Sequence, residues 1–255
     1  MMRTTYTRDL SQWMYHKRRP FPGAWLAPLQ LPGIRGMWGN KSAANDAADF
    51  TRFNTTFSNS LNALGVMLSS NWPGISYIYA YTSNCDAWVD LSAQTHLAIT
   101  TAQTIGGWFY LLAPNTAQTL MIWHGVDEVF PENNAPVYLW LTGGAAQFGI
   151  YKAPTEYEAT SGPVAANAWH FIVGRFTPST EVAIFLDGIK ASNTSGIPAS
   201  CNDSAGPYME LDVLQAAVAF GDTATYLAQC WVCAYAVPDA MLNWLYAIQA
   251  PLYGR

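Results

Sequence analysis

The sequence predicts an all-β protein, an antiparallel β-sandwich, and three observations carry that expectation. The first is a pair of apolar runs, Trp169-His170-Phe171-Ile172-Val173-Gly174-Arg175-Phe176 and Val182-Ala183-Ile184-Phe185-Leu186, separated by a short polar stretch that includes Pro178. Both are rich in β-branched and aromatic side chains that fit a pleated surface, so they read as antiparallel neighbours. The second is Asp187-Gly188, directly after the second run. That pair suits the positive φ angles of a two-residue hairpin, and residues 189–194 then return as a further strand. The third is the repetition of such segments: about eleven short apolar stretches punctuated by turn residues make a sandwich count.

In chain order, the sequence divides into three zones. Residues 1–41 are broken by Pro20, Pro22, Pro28 and Pro32 and by Gly23, Gly33, Gly36 and Gly39. Prolines this frequent disfavour a long helix or a central strand, so the zone is expected to be an extended or looped arm. It nevertheless carries Trp13, Tyr15, Phe21, Trp25, Leu26 and Leu29, which are costly to leave in water and place the arm against its own domain or a neighbour. Residues 42–75 form a connecting region, with Ala43-Ala44-Asn45-Asp46-Ala47-Ala48-Asp49-Phe50 expected as a short helix opened by Ser42. The sandwich is expected over 76–255. Its strands fall at 76–81, 87–91, 104–112, 119–123, 137–141, 147–151, 169–176, 182–186, 189–193, 216–220 and 228–236. Beyond Pro238, the helical spacing of Met241, Leu242, Leu245 and Ile248 predicts one short helix on the sandwich edge.

Composition narrows the function classes. Hydrophobic residues make up 51% of the 255 and charged residues 11%, too apolar for a disordered chain. The 11 Trp and 14 Tyr suit surfaces that a partner or ligand will cover. The net charge of -5 hides a split. Residues 1–41 hold seven basic residues against Asp9, a balance of +6, and the remainder holds five basic against sixteen acidic residues, a balance of -11. A basic arm on an acidic body is built for another surface. Arg3, Arg8, Lys17, Arg18 and Arg19, with Trp13, Tyr15 and Trp25, are therefore the expected assembly contacts, with an acidic neighbouring subunit as the partner. Nucleic acid fits less well, because Lys17-Arg18-Arg19 is a cluster of three followed at once by prolines and large apolar residues. The opening Met-Met-Arg-Thr-Thr-Tyr-Thr-Arg-Asp has no apolar run, so no secretory leader is expected, and no stretch of about 18 apolar residues is present to cross a membrane.

Catalytic and metal-binding patterns are sparse. His16, His96, His124 and His170 lack the paired spacing of a metal site, and His170, on a core strand beside Trp169, is expected to be structural. Cys230-Trp-Val-Cys233 has the CxxC spacing, but residues three apart on a strand face opposite ways, so free thiols are expected. With Cys85 and Cys201, that makes four. Asp127, Glu128, Glu132, Asn133 and Asn134 offer oxygen ligands of the kind calcium takes, yet an ordinary surface loop accounts for them, and no cofactor is expected. A sugar site needs an aromatic platform beside amide and carboxylate groups. Two loops offer that mixture: Trp123, His124, Asp127, Glu128 and Asn133 in one, and Tyr157, within residues 151–158, in the other.

Several of these segments resemble the laminin-G-like jelly rolls of the concanavalin A-like lectin/glucanase superfamily. The resemblance runs over roughly 76–248. It is carried by Ile105-Gly106-Gly107-Trp108-Phe109-Tyr110, the strand opened by Trp169, the Asp187-Gly188 hairpin, and Val232-Cys233-Ala234-Tyr235-Ala236-Val237-Pro238 followed by a helix. It implies a jelly roll of a family made mostly of binding and adhesion modules with a catalytic minority. Glu210-Leu211-Asp212-Val213-Leu214-Gln215 resembles the E-x-D-x-x-E strand of laminarinase-like glycosidases, but Gln215 replaces the second Glu and cannot serve as acid or base. Such modules are also common in tailed-phage surface proteins. Taken with the arm, the resemblance implies a non-enzymatic virion protein, a capsid decoration or tail-associated component assembled in the host cytoplasm. It would contact neighbouring subunits through the arm and display a jelly roll to host-surface glycans. A soluble secreted lectin and, behind it, a glycosidase are the competing readings.

Overall fold

The computed structural model describes residues 23–24, 26–40, 47–49, 51, 58–59, 64–68, 76–80, 87–91, 94–112, 114–115, 118–123, 135–202, 208–211 and 225–255. These form two sheets in which every pairing is antiparallel. The first contains β1 (Ile34–Asn40), β2 (Ala47–Asp49), β4 (Leu64–Leu68), β5 (Ser76–Ala80), β7 (Gln103–Leu111), β12 (Ala168–Thr177), β13 (Glu181–Leu186), β14 (Ile189–Asn193) and β16 (Thr225–Cys233). Its order is β14-β13-β12-β7-β16-β1-β2, with the β4–β5 ribbon joined to β16 through β5. The second contains β3 (Ser58–Asn59), β6 (Ala87–Asp90), β8 (Gln118–Trp123), β9 (Val137–Thr142), β10 (Ala145–Lys152), β11 (Thr155–Pro163) and β15 (Tyr208–Leu211), in the order β11-β10-β9-β8-β15-β6-β3.

The alternation of each strand decides what it touches. Ile172 and Phe176 of β12 enter the core between the sheets with Ile105 and Phe109 of β7, Leu139 of β9 and Phe148 of β10. Their neighbours Trp169, Phe171 and Val173 turn the other way and enter a second core on the outer face of the first sheet. A strand covered on both faces needs apolar side chains in both phases, which is why residues 169–176 show a near-continuous apolar run. Cys230 lies in the core between the sheets and Cys233 in the outer one, so the two thiols are separated by the sheet. Cys201, Cys230 and Cys233 are buried thiols, and burial raises the Cys233 thiol above its ordinary value. Cys85 lies outside the described residues.

Three segments cover the outer face. The helix α1 (Asp239–Gln249) lays Leu242 and Leu245 on it. A short 3-10 turn, Ala27–Gln30, and its flanks contribute Leu26, Ala27 and Leu31. The closing turn Ala250–Tyr253 stacks Tyr253 on Trp108 with ring centroids 4.1 Å apart. Gln249, fully buried, ties them together. Its Oε1 accepts from Trp108 Nε1 at 2.8 Å, while its Nε2 donates to Ala24 O at 2.9 Å and to Gln229 Oε1 at 3.0 Å. The helix therefore packs on a sheet face, not on the edge expected from sequence.

The Asp187-Gly188 hairpin has the expected form: φ is +51° at Asp187 and +82° at Gly188, with Leu186 opposite Ile189. Expected strands coincide with β5 to β10, β12 to β14 and β16 to within a few residues, and 216–220 lies outside the described residues. Two expectations about the N-terminal third are corrected. From Leu26 the arm is part of the body, because its last proline is Pro32 and β1, two residues on, pairs with both β16 and β2. Residues 47–49, expected in a helix, are strand β2, and β3 and β4 also fall within the region taken as a connector. Arg3, Arg8, Trp13, Tyr15, Lys17, Arg18, Arg19 and Trp25 lie outside the described residues.

Two ionic networks fasten the β13–β14 hairpin to the C-terminal segment. Arg175, 4% exposed, donates to Val237 O at 2.6 Å and pairs with Glu181 and Asp239, while Lys190 reaches Glu181 at 2.8 Å and Asp239 at 3.2 Å. Asp187 accepts from Phe171 N at 2.9 Å, from Arg255 Nη2 at 2.7 Å and from His170 Nδ1 at 2.8 Å. Burial alone would raise these carboxyls. At Asp187 the hydrogen bonds from His170 and Phe171 with the charges of His170 and Arg255, and at Glu181 and Asp239 the contacts of Arg175 and Lys190, carry the net shift below the ordinary value.

A depressed carboxyl stabilises the fold above its unfolded pKa and loses that contribution as pH falls through the folded value. Stability should thus hold above pH ~5 and decline below pH ~4. Asp187→Asn tolerates the positive φ but removes the charge. It should cost about 1–3 kcal/mol at pH 7 and flatten the acid limb, as read from denaturant midpoints across pH. Deletion of residues 1–41 removes Met37 and Trp38, both fully buried, at about 1.5–3 kcal/mol each before any loss of ladder hydrogen bonds. Circular dichroism should find that truncated chain unfolded.

Candidate functional site

Strands β9, β10 and β11 offer one face to the inter-sheet core and one away from it. Val137, Leu139 and Leu141 of β9, Ala146, Phe148 and Ile150 of β10, and Ala159 of β11 face inward. The opposite phase brings Tyr138, Trp140, Gln147, Gly149, Glu156, Glu158 and Thr160 together, with Gln147 beside Trp140 and Thr160, and Gly149 beside Tyr138 and Glu158.

The arrangement is braced throughout. Trp140, half-buried, donates from Nε1 to Gln147 Oε1 at 2.7 Å, and Gln147 Nε2 donates to Thr160 Oγ1 at 3.1 Å. Its ring stacks on Tyr138, centroids 4.0 Å apart. Tyr138 crosses over Gly149, where an added Cβ would sit 2.1 Å from the phenol ring, and donates to Glu158 Oε2 at 3.1 Å. Burial, and after it the charges of Glu156 and Glu158, push the Tyr138 phenol well above its ordinary value, so it stays protonated and donates. Desolvation lifts Glu156 above the usual carboxylate value against the lowering effect of the nearby Tyr138 phenol, and the charge of Glu158 adds to the rise. The result is a supported indole plane beside an amide, a hydroxyl and two exposed carboxylates, the mixture that grips a sugar ring by stacking and by hydrogen bonds to its hydroxyls.

Of the residues selected from sequence for a sugar site, Trp123 is a core residue: it is fully buried and donates from Nε1 to Leu97 O at 3.0 Å. That removes it as a platform. Tyr157 packs against the inter-sheet core, in the opposite phase to Glu156 and Glu158. His124, Asp127, Glu128 and Asn133 lie outside the described residues. Trp140 and Gln147 were missed, although Val137-Tyr138-Leu139-Trp140-Leu141 alternates strictly and places Tyr138 and Trp140 on one face. His170 has a structural setting, 2% exposed with Nε2 2.9 Å from Ala165 O and Nδ1 on Asp187. Glu210 lies on β15 opposite Ile122 and Trp88, while Asp212 and Gln215 lie outside the described residues. Among the described residues no group of three or more His, Cys, Asp or Glu is placed to hold a metal ion, and no helix is long and apolar enough to cross a membrane.

Residues 82–209, half of the chain, match a laminin-G model of the concanavalin A-like lectin/glucanases superfamily, and the chain belongs to that superfamily. No curated protein matches it. Among solved structures it is similar to the binding domain of Paraclostridial Mosquitocidal Protein 1, with a TM-score of 0.64 and 13% identity over 84% of this chain and 52% of that one. It is also similar to the receptor binding domain of botulinum neurotoxin D, with a TM-score of 0.63 and 12% identity over 85% and 53%. The botulinum neurotoxin serotype D ligand binding domain in complex with N-acetylneuraminic acid gives a TM-score of 0.64 and 12% identity over 85% and 51%. The chain thus spans about half the length of each, and at such identities the likeness is one of fold.

Proposed function

We propose that the protein is a non-enzymatic, saccharide-binding jelly roll that its basic N-terminal arm fastens to a large assembly. In this reading the assembly is the virion of a tailed phage, with the protein as a capsid decoration or tail-associated component. The observation that carries the saccharide reading is the Trp140 ring, held by Gln147 and Tyr138 beside Glu156, Glu158 and Thr160. A fold shared with domains whose names specify receptor or ligand binding, one of them holding a sialic acid, supports it. Glu158 is engaged by a protonated Tyr138, which suits an acceptor for sugar hydroxyls better than a nucleophile. The geometry also suits display. Ala24, where the chain leads back toward the arm, is held by Gln249 on the outer face of the first sheet, and Trp140 stands on the outer face of the second. An anchor on one side leaves the other turned outward.

On an array of immobilised glycans the full-length protein should bind a defined subset, and Trp140→Ala should weaken that binding at least about tenfold, a loss of ~1.4 kcal/mol, with little change in Tm. Wild-type protein that binds no glycan, or that releases reducing sugar from a β-glucan while Glu158→Gln does not, would overturn the reading.

Anchoring makes a separate demand. Deleting residues 1–22 should leave a folded protein that no longer joins its assembly, and reversing the charges of Lys17, Arg18 and Arg19 should weaken joining in a salt-dependent way. Normal incorporation of the deletion variant would refute the anchor.

A further inference from the structure

We propose that this face selects uncharged saccharides and rejects anionic ones, including sialylated and uronate-containing glycans. The inference rests on the saccharide reading of the same face and follows from a count of its donors and acceptors. The single indole donor of Trp140 is used on Gln147 Oε1, one amide hydrogen of Gln147 on Thr160, and the phenol hydrogen of Tyr138 on Glu158. The bracing that makes the platform rigid therefore consumes its donors. What remains pointed at a ligand is two exposed carboxylates, with neutral donors only beside them: the hydroxyls of Thr160, Thr142 and Tyr151, all in this phase, and the second amide hydrogen of Gln147.

Neutral pyranoses supply the missing half, because each ring carries several hydroxyls that donate to carboxylates. An anionic sugar needs donors or a cation at its own carboxylate. The basic residue of β9, β10 and β11 is Lys152, at the end of β10 in the core-facing phase of Phe148 and Ile150 and away from Trp140 and Glu158. A third carboxylate brought against Glu156 and Glu158 is repelled at short range, and the cation of these strands, Lys152, belongs to the other phase. The N-acetylneuraminic acid held by the serotype D neurotoxin domain belongs to the class that this face turns away.

The test is a set of matched pairs offered to the full-length protein at pH 7 and low salt: N-acetyllactosamine against its sialylated form, and a glucose oligomer against the corresponding glucuronate. The neutral member of a pair should bind at least about tenfold more tightly, and added salt should narrow the gap. Glu156→Gln/Glu158→Gln, nearly isosteric with the native pair, should narrow it at low salt. Equal binding within pairs, or preference for the anionic member, overturns the selectivity and leaves the saccharide reading standing. Binding to neither member of any pair overturns both. Should the double variant fail to melt cooperatively, the wild-type comparison and its salt dependence decide alone.

Discussion

Burial of the first sheet on both faces is the constraint from which the rest of the molecule follows. β7 and β12 send alternate side chains into two separate cores, Ile105, Phe109, Ile172 and Phe176 to one and Trp108, Trp169, Phe171 and Val173 to the other. A sandwich normally leaves the outer face of each sheet to water. Here the outer face carries Trp108, Trp169, Trp231, Phe171 and Phe185, so it needs a cover, and α1, the turn Ala250–Tyr253 and the segment around Ala27 provide one. Gln249 makes the cover specific as well as apolar, since one buried amide joins Trp108, Gln229 and Ala24. A buried polar group with its partners in place fixes the register of everything it touches.

That arrangement also makes the two outer faces of the sandwich unlike. The outer side of the first sheet is occupied along β7, β12 and β16, whereas the outer side of β9, β10 and β11 presents a half-buried indole with exposed acids and hydroxyls. The two sides face opposite ways, so the segment nearest the N-terminal arm and the candidate saccharide face are separated by the whole sandwich. In the proposed function, attachment and recognition therefore need not compete for surface.

The parts legible in the sequence were those where a single local rule governed. β12, β13 and β14 were readable because β-branched and aromatic runs met a turn of the correct chemistry at Asp187-Gly188. Cys230 and Cys233 were readable from strand parity alone. β1 is hidden because the prolines before it, which stop at Pro32, dominate the composition of the whole zone. β11 was hidden because an edge strand, Thr155-Glu156-Tyr157-Glu158-Ala159-Thr160-Ser161-Gly162-Pro163, is polar in one phase and nearly so in the other. Trp123 misled because it borders a polar segment in sequence, while its indole found the Leu97 carbonyl inside the core. That partner lies far away in the chain, and no local pattern announces it.

The candidate face shows how the same strand parity that buries one set of residues prepares the other. Gly149 alternates with Phe148 and Ile150, which fill the inter-sheet core, and because it has no side chain the Tyr138 ring can lie across it to reach Glu158. Trp140 then rests on a fully buried tyrosine instead of on solvent, with its indole nitrogen fixed by Gln147. Much of the rotamer freedom that a free surface tryptophan would lose on binding is already lost on folding, which favours affinity through preorganisation. The same bonds that hold the ring consume its donors. Rigidity and an acceptor-rich, negatively charged rim are therefore two consequences of one set of side-chain contacts, and a substitution that relaxes the first also alters the second.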